Sequence, residues 1–262
     1  MKLRIKIDRF AIRSFIVLRF SREICMPPVI SNYMKAPFTV PNGLHATDKG
    51  LWIVDQLTDR LALVALEEPH EYGVSRILHE IPTESSTTSG VSYGEGALWL
   101  GANGPGDRWR YTRKTDALSG TGEILKVNPQ TGETLARYPL PGDGGTHGLA
   151  YDHVESGAIW LSTLHDKTLT EVHTSDWSIK KVIPLPYDGG HGMVRTDDDA
   201  IWMVFKQSRI IAKLAIRDGA VLDEIQIGPE HPEPHGLTRA GTDLLYCDAM
   251  TAWIVRIKGV FE

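Results

Sequence analysis

The sequence predicts an all-β protein, a single five-bladed β-propeller with four-stranded antiparallel blades. The first observation behind this prediction is a repeat in which a polar residue precedes glycine. Its five copies are 47, 58, 44 and 44 residues apart and begin at Asn42, Ser89, His147, His191 and His235. A large apolar residue follows ten to thirteen residues after each start, in chain order Trp52, Trp99, Trp160, Trp202 and Leu245. Repeats of about 40 to 50 residues with strand-like content are typical of propeller blades.

The second observation is that each repeat contains short apolar runs. In the fourth repeat four runs rich in β-branched and aromatic residues are separated by Asp, Gly and Pro clusters, and they occupy residues 191–197, 200–205, 209–216 and 221–229. Such runs are typical of strands joined by turns. We therefore expect four strands in each blade, with the tryptophan of the second strand packed between blades.

The fifth repeat ends after three strands, so its outer edge needs a partner. Residues 36–40, directly before Asn42, resemble the end of a fourth strand. We expect the N-terminal segment to supply this strand and to close the ring. Residues 34–262 then form the propeller, and residues 1–33, which do not fit the repeat, are predicted to be an N-terminal extension outside the fold.

Composition narrows the class of protein. A chain of 262 residues with 42% hydrophobic residues can form one domain with an ample core. The net charge of −5 and the lack of a basic stripe argue against a nucleic-acid partner. The chain has no run of eighteen apolar residues, so no membrane span is predicted. Its two cysteines, Cys25 and Cys247, cannot form a disulfide framework, which suits the cytoplasm. We expect a monomer.

The five residues that begin the repeats form the first candidate site. The innermost strands of a propeller surround a central channel, so residues at the start of these strands converge at one end of it. We call the five starting residues the ring positions and this end of the channel the histidine mouth. Three imidazoles and an amide are a plausible metal ligand set, namely His147, His191, His235 and Asn42. The alternative is that the histidines only bind the backbone at a strand start. The glycines are expected to allow close approach of the inner strands.

Other polar residues are expected to border the same mouth. Asp55 and Asp248 lie three residues after Trp52 and Leu245, at the end of the second strand. They are candidate catalytic bases, or else acids that cap their own turns. His165 is a third candidate for proton transfer. Lys206 and the ring residue Ser89 are candidate substrate contacts.

The second repeat is longer than the others, and the excess falls between its second and third strands, at residues 103–122. Long loops in compact folds are often functional. This one is rich in cationic and aromatic side chains that could bind an anionic or carbonyl-rich substrate, namely Arg108, Trp109, Arg110 and Tyr111. The alternative is a solvated surface loop.

Residues 41–55, PNGLHATDKGLWIVD, resemble a repeat of the gluconolactonase and senescence-marker-protein family. The HGL segments resemble streptogramin (virginiamycin B) lyase and other NHL-like or YVTN-like propellers. The first resemblance implies that residues at the ring positions, such as Asn42, bind a divalent metal. The second implies that histidines near the channel mouth act with a metal in eliminative ring opening. The chain departs from these families in having five blades rather than six or seven, and imidazoles in place of carboxylates. Imidazole ligands favour a divalent transition metal such as Zn, Mn or Fe.

Together these observations predict a metal-dependent propeller enzyme that acts on a small molecule. The favoured reaction is that of a lyase, with Lewis-acid activation and proton abstraction at a carbonyl or lactone. A lactonase-type hydrolase is the first alternative. A non-catalytic propeller that binds a ligand or a protein is the second, because propellers carry many unrelated functions.

Overall fold

The computed structural model describes residues 28–142 and 144–262, and it confirms the five-bladed all-β propeller. Each blade is an antiparallel sheet of four strands. Blades 1 and 2 contain β2 (Pro41–Thr47), β3 (Gly50–Asp55), β4 (Arg60–Val64), β5 (Ile77–Pro82), β6 (Gly90–Gly94), β7 (Ala97–Asn103), β8 (Gly122–Val127) and β9 (Thr134–Pro139). Blades 3 and 4 contain β10 (Leu149–Tyr151), β11 (Ala158–Thr163), β12 (Thr168–His173), β13 (Ile179–Pro184), β14 (Gly190–Thr196), β15 (Ala200–Phe205), β16 (Ile210–Ala215) and β17 (Val221–Gln226). Blade 5 contains β18 (Leu237–Ala240), β19 (Asp243–Cys247), β20 (Trp253–Ile257) and β1 (Ile30–Lys35).

One 3-10 turn, Gly106–Arg108, interrupts the loop between β7 and β8. Within the part of the chain that the structure describes, no helix has the length and apolar character needed to cross a bilayer.

Strand register shows that the five repeats are equivalent. In every blade the residue three places after the ring position pairs with the large apolar residue of the second strand. The five pairs are His45 with Trp52, Ser92 with Trp99, Ala150 with Trp160, Val194 with Trp202, and Thr238 with Leu245. Because the register is shared, the ring positions all lie at the same height along the propeller axis.

The ring is closed by an N-terminal strand, as predicted, but the strand lies further upstream. Strand β1, residues 30–35, pairs antiparallel with β20, with Ile30 opposite Ile257. Residues 36–40, the predicted strand, instead connect β1 to β2. Pro37 has no backbone N–H to donate to a ladder, which suits a connection. Residues 30–33 therefore belong to the propeller and not to the extension, whose residues 1–27 lie outside the described part of the chain.

The core lies between the blades. Trp52, Trp99, Trp160 and Trp202 are buried, as expected. Each contributes to an apolar cluster that includes side chains of the next blade, for example Trp52 with Leu98 and Trp99 with Ile159. Burial of such large side chains is the main force that holds neighbouring blades together.

The glycines after the ring positions bring the inner strands into contact, as expected. A Cβ atom on Gly148 would lie 1.9 Å from the carbonyl oxygen of His191, and one on Gly192 would lie 2.2 Å from the backbone nitrogen of Leu237. The space left on the axis below the ring is a cavity of about 10 Å³, enough for roughly one water molecule. At this point the axis is therefore too narrow for a small organic molecule to pass through.

Candidate functional site: the histidine mouth

Three imidazoles meet at the histidine mouth. Nδ1 of His147 lies 2.8 Å from Nε2 of His191. The rings of His191 and His235 are nearly perpendicular, with centroids 5.5 Å apart. His191 and His235 are buried, whereas His147 is half-buried and is the most accessible of the three.

Backbone carbonyls determine which nitrogen of each buried ring carries the proton. Nδ1 of His191 lies 2.8 Å from the carbonyl oxygen of Gly189, and Nδ1 of His235 lies 3.2 Å from that of Glu233. A carbonyl only accepts, so both Nδ1 atoms are protonated, and each neutral ring keeps a lone pair on Nε2. His147 must then donate its Nδ1–H to His191, which leaves the lone pair of His147 on its own Nε2.

All three imidazoles are held in the neutral form. Burial, together with electrostatic repulsion of a proton by His235 and Lys206, lowers the pKa of His147 to about 4. Burial and the adjacent His147 lower the pKa of His191 even further. Burial and Lys206 also lower the pKa of His235. The mouth therefore presents unprotonated nitrogens at neutral pH.

Amide side chains complete the ring on the side of blades 1 and 2. Asn42 Nδ2 donates to Gln56 Oε1 at 3.1 Å, and Gln56 Nε2 donates to Ser89 Oγ at 3.3 Å. Asn103 Nδ2 also donates to Ser89 Oγ, while its Oδ1 accepts from the backbone of Thr146. Ser89 is fully buried, so it belongs to this framework and is not the substrate contact we expected.

Gln56 and Asn103 were missed by the sequence analysis, although a signal was present. They stand four residues after Trp52 and Trp99, and Lys206 stands four residues after Trp202. This second register marks the end of the second strand, which reaches the same face as the ring positions.

Lys206 lies at the mouth, as predicted. Its Nζ is 3.4 Å from Oε2 of Glu233, and the same oxygen is 3.8 Å from Nε2 of His235. Glu233 was also missed, because it lies in the connection before β18 and outside the repeat pattern. Its carboxylate and the Lys206 ammonium form an ion pair at the rim.

The buried side-chain oxygen of Asn42 has no hydrogen-bond partner among the described residues. Asn42 is 4% exposed, and its Oδ1 accepts no hydrogen bond from any residue that the structure describes. Buried polar atoms are nearly always paired, so such an exception needs an explanation.

The two aspartates proposed as catalytic bases instead stabilise turns. Asp55 accepts hydrogen bonds from the backbone of Val40 and Thr58, and Asp248 accepts from the backbone of Met250 and the hydroxyl of Thr251. Both carboxylates are buried and held by these bonds, so the alternative of turn-capping acids is the correct one.

His165 remains a candidate for proton transfer. Its side chain is 73% exposed and contacts Asp166. It also packs beside Gly144 in the segment that leads to the ring position of blade 3.

The long loop of blade 2 is anchored by its arginines. Arg110 donates five hydrogen bonds, to Asp59, Asp116 and the carbonyl of Tyr111. A guanidinium has five N–H donors, so none is left for a ligand, and the expected substrate contact at Arg110 is wrong. Arg108 stacks over the ring of Trp109, and Tyr111 is 98% exposed. These three side chains remain candidate ligand contacts.

The proposed metal site stays a prediction. Within residues 28–142 and 144–262, no three His, Cys, Asp or Glu side chains are arranged to hold one ion. Nδ1 of His147 and Nε2 of His191 face each other across a hydrogen bond, and that bond must open before both rings bind a metal. In favour of the ligand set, metal-binding histidines usually donate their other N–H to a carbonyl or carboxylate, as His191 and His235 do.

The sequence matches no protein-family model and no curated protein. The fold, by contrast, is similar to solved structures of enzymes. A glutaminyl cyclase from Myxococcus xanthus superposes with a TM-score of 0.64 at 12% identity, over 89% of this chain and 98% of that chain. A luciferin-regenerating enzyme gives 0.57 at 14% identity, over 89% and 96%. A streptogramin B lyase gives 0.53 at 13% identity, over 88% and 97%.

At these identities the similarity is one of fold. The predicted resemblance to streptogramin lyase is confirmed at that level, and the resemblance to gluconolactonase stays a prediction. The chain is a five-bladed β-propeller that resembles streptogramin lyase in fold.

Proposed function

We propose that the protein is an enzyme that acts on a small molecule at the histidine mouth, as a lyase that removes a proton next to a carbonyl group. The observation that carries this proposal is the chain of contacts from Gly189 through His191 to His147. This chain leaves an unprotonated nitrogen, Nε2 of His147, on the most accessible ring of the mouth. That arrangement suits a general base, which must be neutral and held in place by a second group.

In this mechanism His147 Nε2 takes the proton from the carbon next to the carbonyl. The Nδ1–H of the resulting imidazolium stays bonded to His191 Nε2, which positions the ring. The Lys206 ammonium opposes the negative charge that develops on the carbonyl oxygen. The electron pair of the broken C–H bond forms a C=C bond, and the C–O bond at the next carbon breaks. In a lactone or ester the leaving group is a carboxylate, so the bond opens without water.

As an alternative state of the mouth we propose a divalent transition metal, Zn, Mn or Fe, held by His147, His191, His235 and Asn42. In that state the hydrogen bond between His147 and His191 would be open and both lone pairs would bind the metal, so His165 and not His147 would be the candidate for proton transfer. When bound, the metal would act as a Lewis acid on the substrate carbonyl. The Nδ1–H groups that His191 and His235 donate to carbonyls support this set, as does the unpaired Oδ1 of Asn42.

The similar structures support a catalytic role because they include, by name, a cyclase, a lyase and a luciferin-regenerating enzyme. The same mouth could also activate water, which would give a lactonase-type hydrolase.

Incubation with a panel of lactones and cyclic esters, followed by mass spectrometry, separates the candidates. Elimination gives a ring-opened product of unchanged mass, whereas hydrolysis gives a product heavier by one water molecule. We expect the product of unchanged mass, and we expect it to disappear in His147→Gln. Compounds that bind to the protein but are not converted would instead support a propeller that binds a ligand without catalysis.

A further inference from the structure

We propose that the histidine mouth recognises a substrate that carries two groups, a hydrogen-bond donor of the amide or hydroxyl type for Asn42 and a carboxylate for Lys206. This inference rests on the proposed function only in placing the substrate at the mouth, in the state in which Asn42 does not bind a metal. It adds the chemical class of the substrate and the residues that select it.

The donor is inferred from the unpaired oxygen of Asn42. Asn42 occupies the ring position of blade 1, between His235 of blade 5 and Ser89 of blade 2. Its side chain is nearly fully buried, and Oδ1 has no donor among the described residues. A buried acceptor without a partner is unfavourable. A ligand group that donates a hydrogen bond to it therefore gains more binding free energy than the same hydrogen bond would give in water.

The amide of Asn42 is oriented by its neighbours. Its Nδ2 donates to Gln56 Oε1, Gln56 Nε2 donates to Ser89 Oγ, and Ser89 Oγ donates to the carbonyl of Thr87 at 3.2 Å. A flipped Asn42 would require Gln56 to flip as well and the Ser89 hydroxyl to abandon Thr87. This series of hydrogen bonds therefore orients the Asn42 amide so that its oxygen, and not its nitrogen, is the atom without a partner.

The surrounding groups increase this preference for donors. The free nitrogens of His147 and His235 and the carboxylate of Glu233 are all groups that can accept a hydrogen bond from a ligand. A mouth lined by acceptors excludes ligands that carry only acceptors, because such a ligand would lose its water without gaining partners.

Lys206 supplies the cation for a carboxylate. Its contact with Glu233 is long, at 3.4 Å, and the lysine is only partly buried, so its ammonium has donors free for a ligand. Arg110 has no donor left, and the guanidinium of Arg108, which remains a candidate contact, stacks over Trp109 in the long loop of blade 2. The anionic group of the substrate is therefore expected at Lys206.

Matched pairs of small probes test the inference. Malonamate, succinamate and glutaramate each carry a carboxylate and a primary amide. Monomethyl malonate, monomethyl succinate and monomethyl glutarate keep the carboxylate but carry an acceptor-only methyl ester in place of the amide. Binding of each pair to the full chain is measured by ligand-observed NMR titration. For the length that spans Asn42 and Lys206, we expect the amide to bind about tenfold more tightly than its ester, or about 1.4 kcal/mol.

Three variants assign the two contacts. Asn42→Ala should bring the amide-to-ester ratio close to one. Asn42→Asp keeps an acceptor at this place and should retain the preference for the amide. It is the control which shows that the loss in Asn42→Ala does not come from misfolding. Lys206→Met should weaken both members of a pair to the same degree and leave their ratio unchanged.

The inference is overturned if ester and amide bind equally at all three lengths, or if Asn42→Ala keeps the ratio with an unchanged melting temperature. An ester that binds more tightly would also overturn it and would indicate the flipped amide chain. These outcomes are separate from turnover. If amide and ester bind equally while the protein still opens lactones in a His147-dependent way, only the donor site is refuted. If the amide binds more tightly than the ester but no lactone is converted, the proposed reaction is refuted.

Discussion

The guanidinium of Arg110 lies 2.8 Å from the buried carboxylate of Asp59 and ties the long loop of blade 2 to blade 1. Arg113 approaches the same carboxylate at 3.2 Å, and both arginines also contact Asp116. These contacts, with Asp59 and Asp116 almost completely buried, make the loop an anchored part of the fold.

Arg110→Ala should therefore destabilise the protein. Removal of one partner leaves the Asp59 carboxylate buried with a single arginine, and breaking buried ion pairs is strongly unfavourable. Arg110 is partly exposed, so we expect a loss of about 2 kcal/mol in the free energy of unfolding, measured by urea denaturation. Arg108→Ala is the matched control from the same loop, and it should change this free energy by less than about 0.5 kcal/mol. Equal stability of both variants would show that the ion pairs do not hold the loop.

Truncation should locate the closing strand. Deletion of residues 1–28 keeps β1 and the hydrogen bond from Lys258 to the carbonyl of Val29, so the melting temperature should stay nearly unchanged. Deletion of residues 1–35 removes β1, including the buried side chain of Met34, and exposes the edge of β20. We expect that protein to melt at a much lower temperature or to aggregate. Unfolding after the shorter deletion would mean that the fold needs residues upstream of Val29.

Acid should destabilise the propeller in part through His45. Burial and the nearby His153 lower the pKa of His45 to about 3 in the folded protein, against about 6.5 in the unfolded chain. Between about pH 6.5 and 3 the imidazole of His45 is protonated in the unfolded chain but not in the folded protein. The free energy of unfolding therefore falls as the pH drops from about 6.5 towards 3. The expected slope is roughly 1 kcal/mol per pH unit for this group.

His45→Gln removes that contribution. Its free energy of unfolding, measured in urea at pH 7 and at pH 5, should fall less on acidification than that of the wild-type protein. Parallel losses in the two proteins would show that His45 takes up its proton equally in the folded and unfolded states.

Metal binding is tested by elemental analysis and by titration of chelator-treated protein with Zn, Mn and Fe. We expect about one ion per chain, as in a single site with three imidazole ligands. Binding should be lost in His147→Ala, His191→Ala and His235→Ala. It should be retained in His153→Ala, which removes an exposed imidazole away from the ring. A protein that takes up none of these metals would show that the imidazoles serve the hydrogen-bond chain alone.

The sequence by itself determined the repeat and therefore the propeller. The spacing from Asn42 to Trp52 has a counterpart in each of the other blades, because one strand register repeats five times. Each spacing lies within a short segment of the chain, so it can be read directly from the sequence. The same periodicity led to the histidine mouth, since equivalent positions on the inner strands must meet at the axis.

Only the tertiary structure decided what each polar group does there. The hydrogen bond that leaves the lone pair of His147 on Nε2 joins His147 of blade 3 to His191 of blade 4, and repeat spacing carries no information on side-chain direction. Arg110 and Asp59 are 51 residues apart, so their ion pair could not be read from either segment alone. The closing strand lay upstream of its predicted place because pairing with β20, and not the local pattern, selects it. Hydrogen bonds and burial depend on which blades are neighbours, and that is settled only when the ring closes.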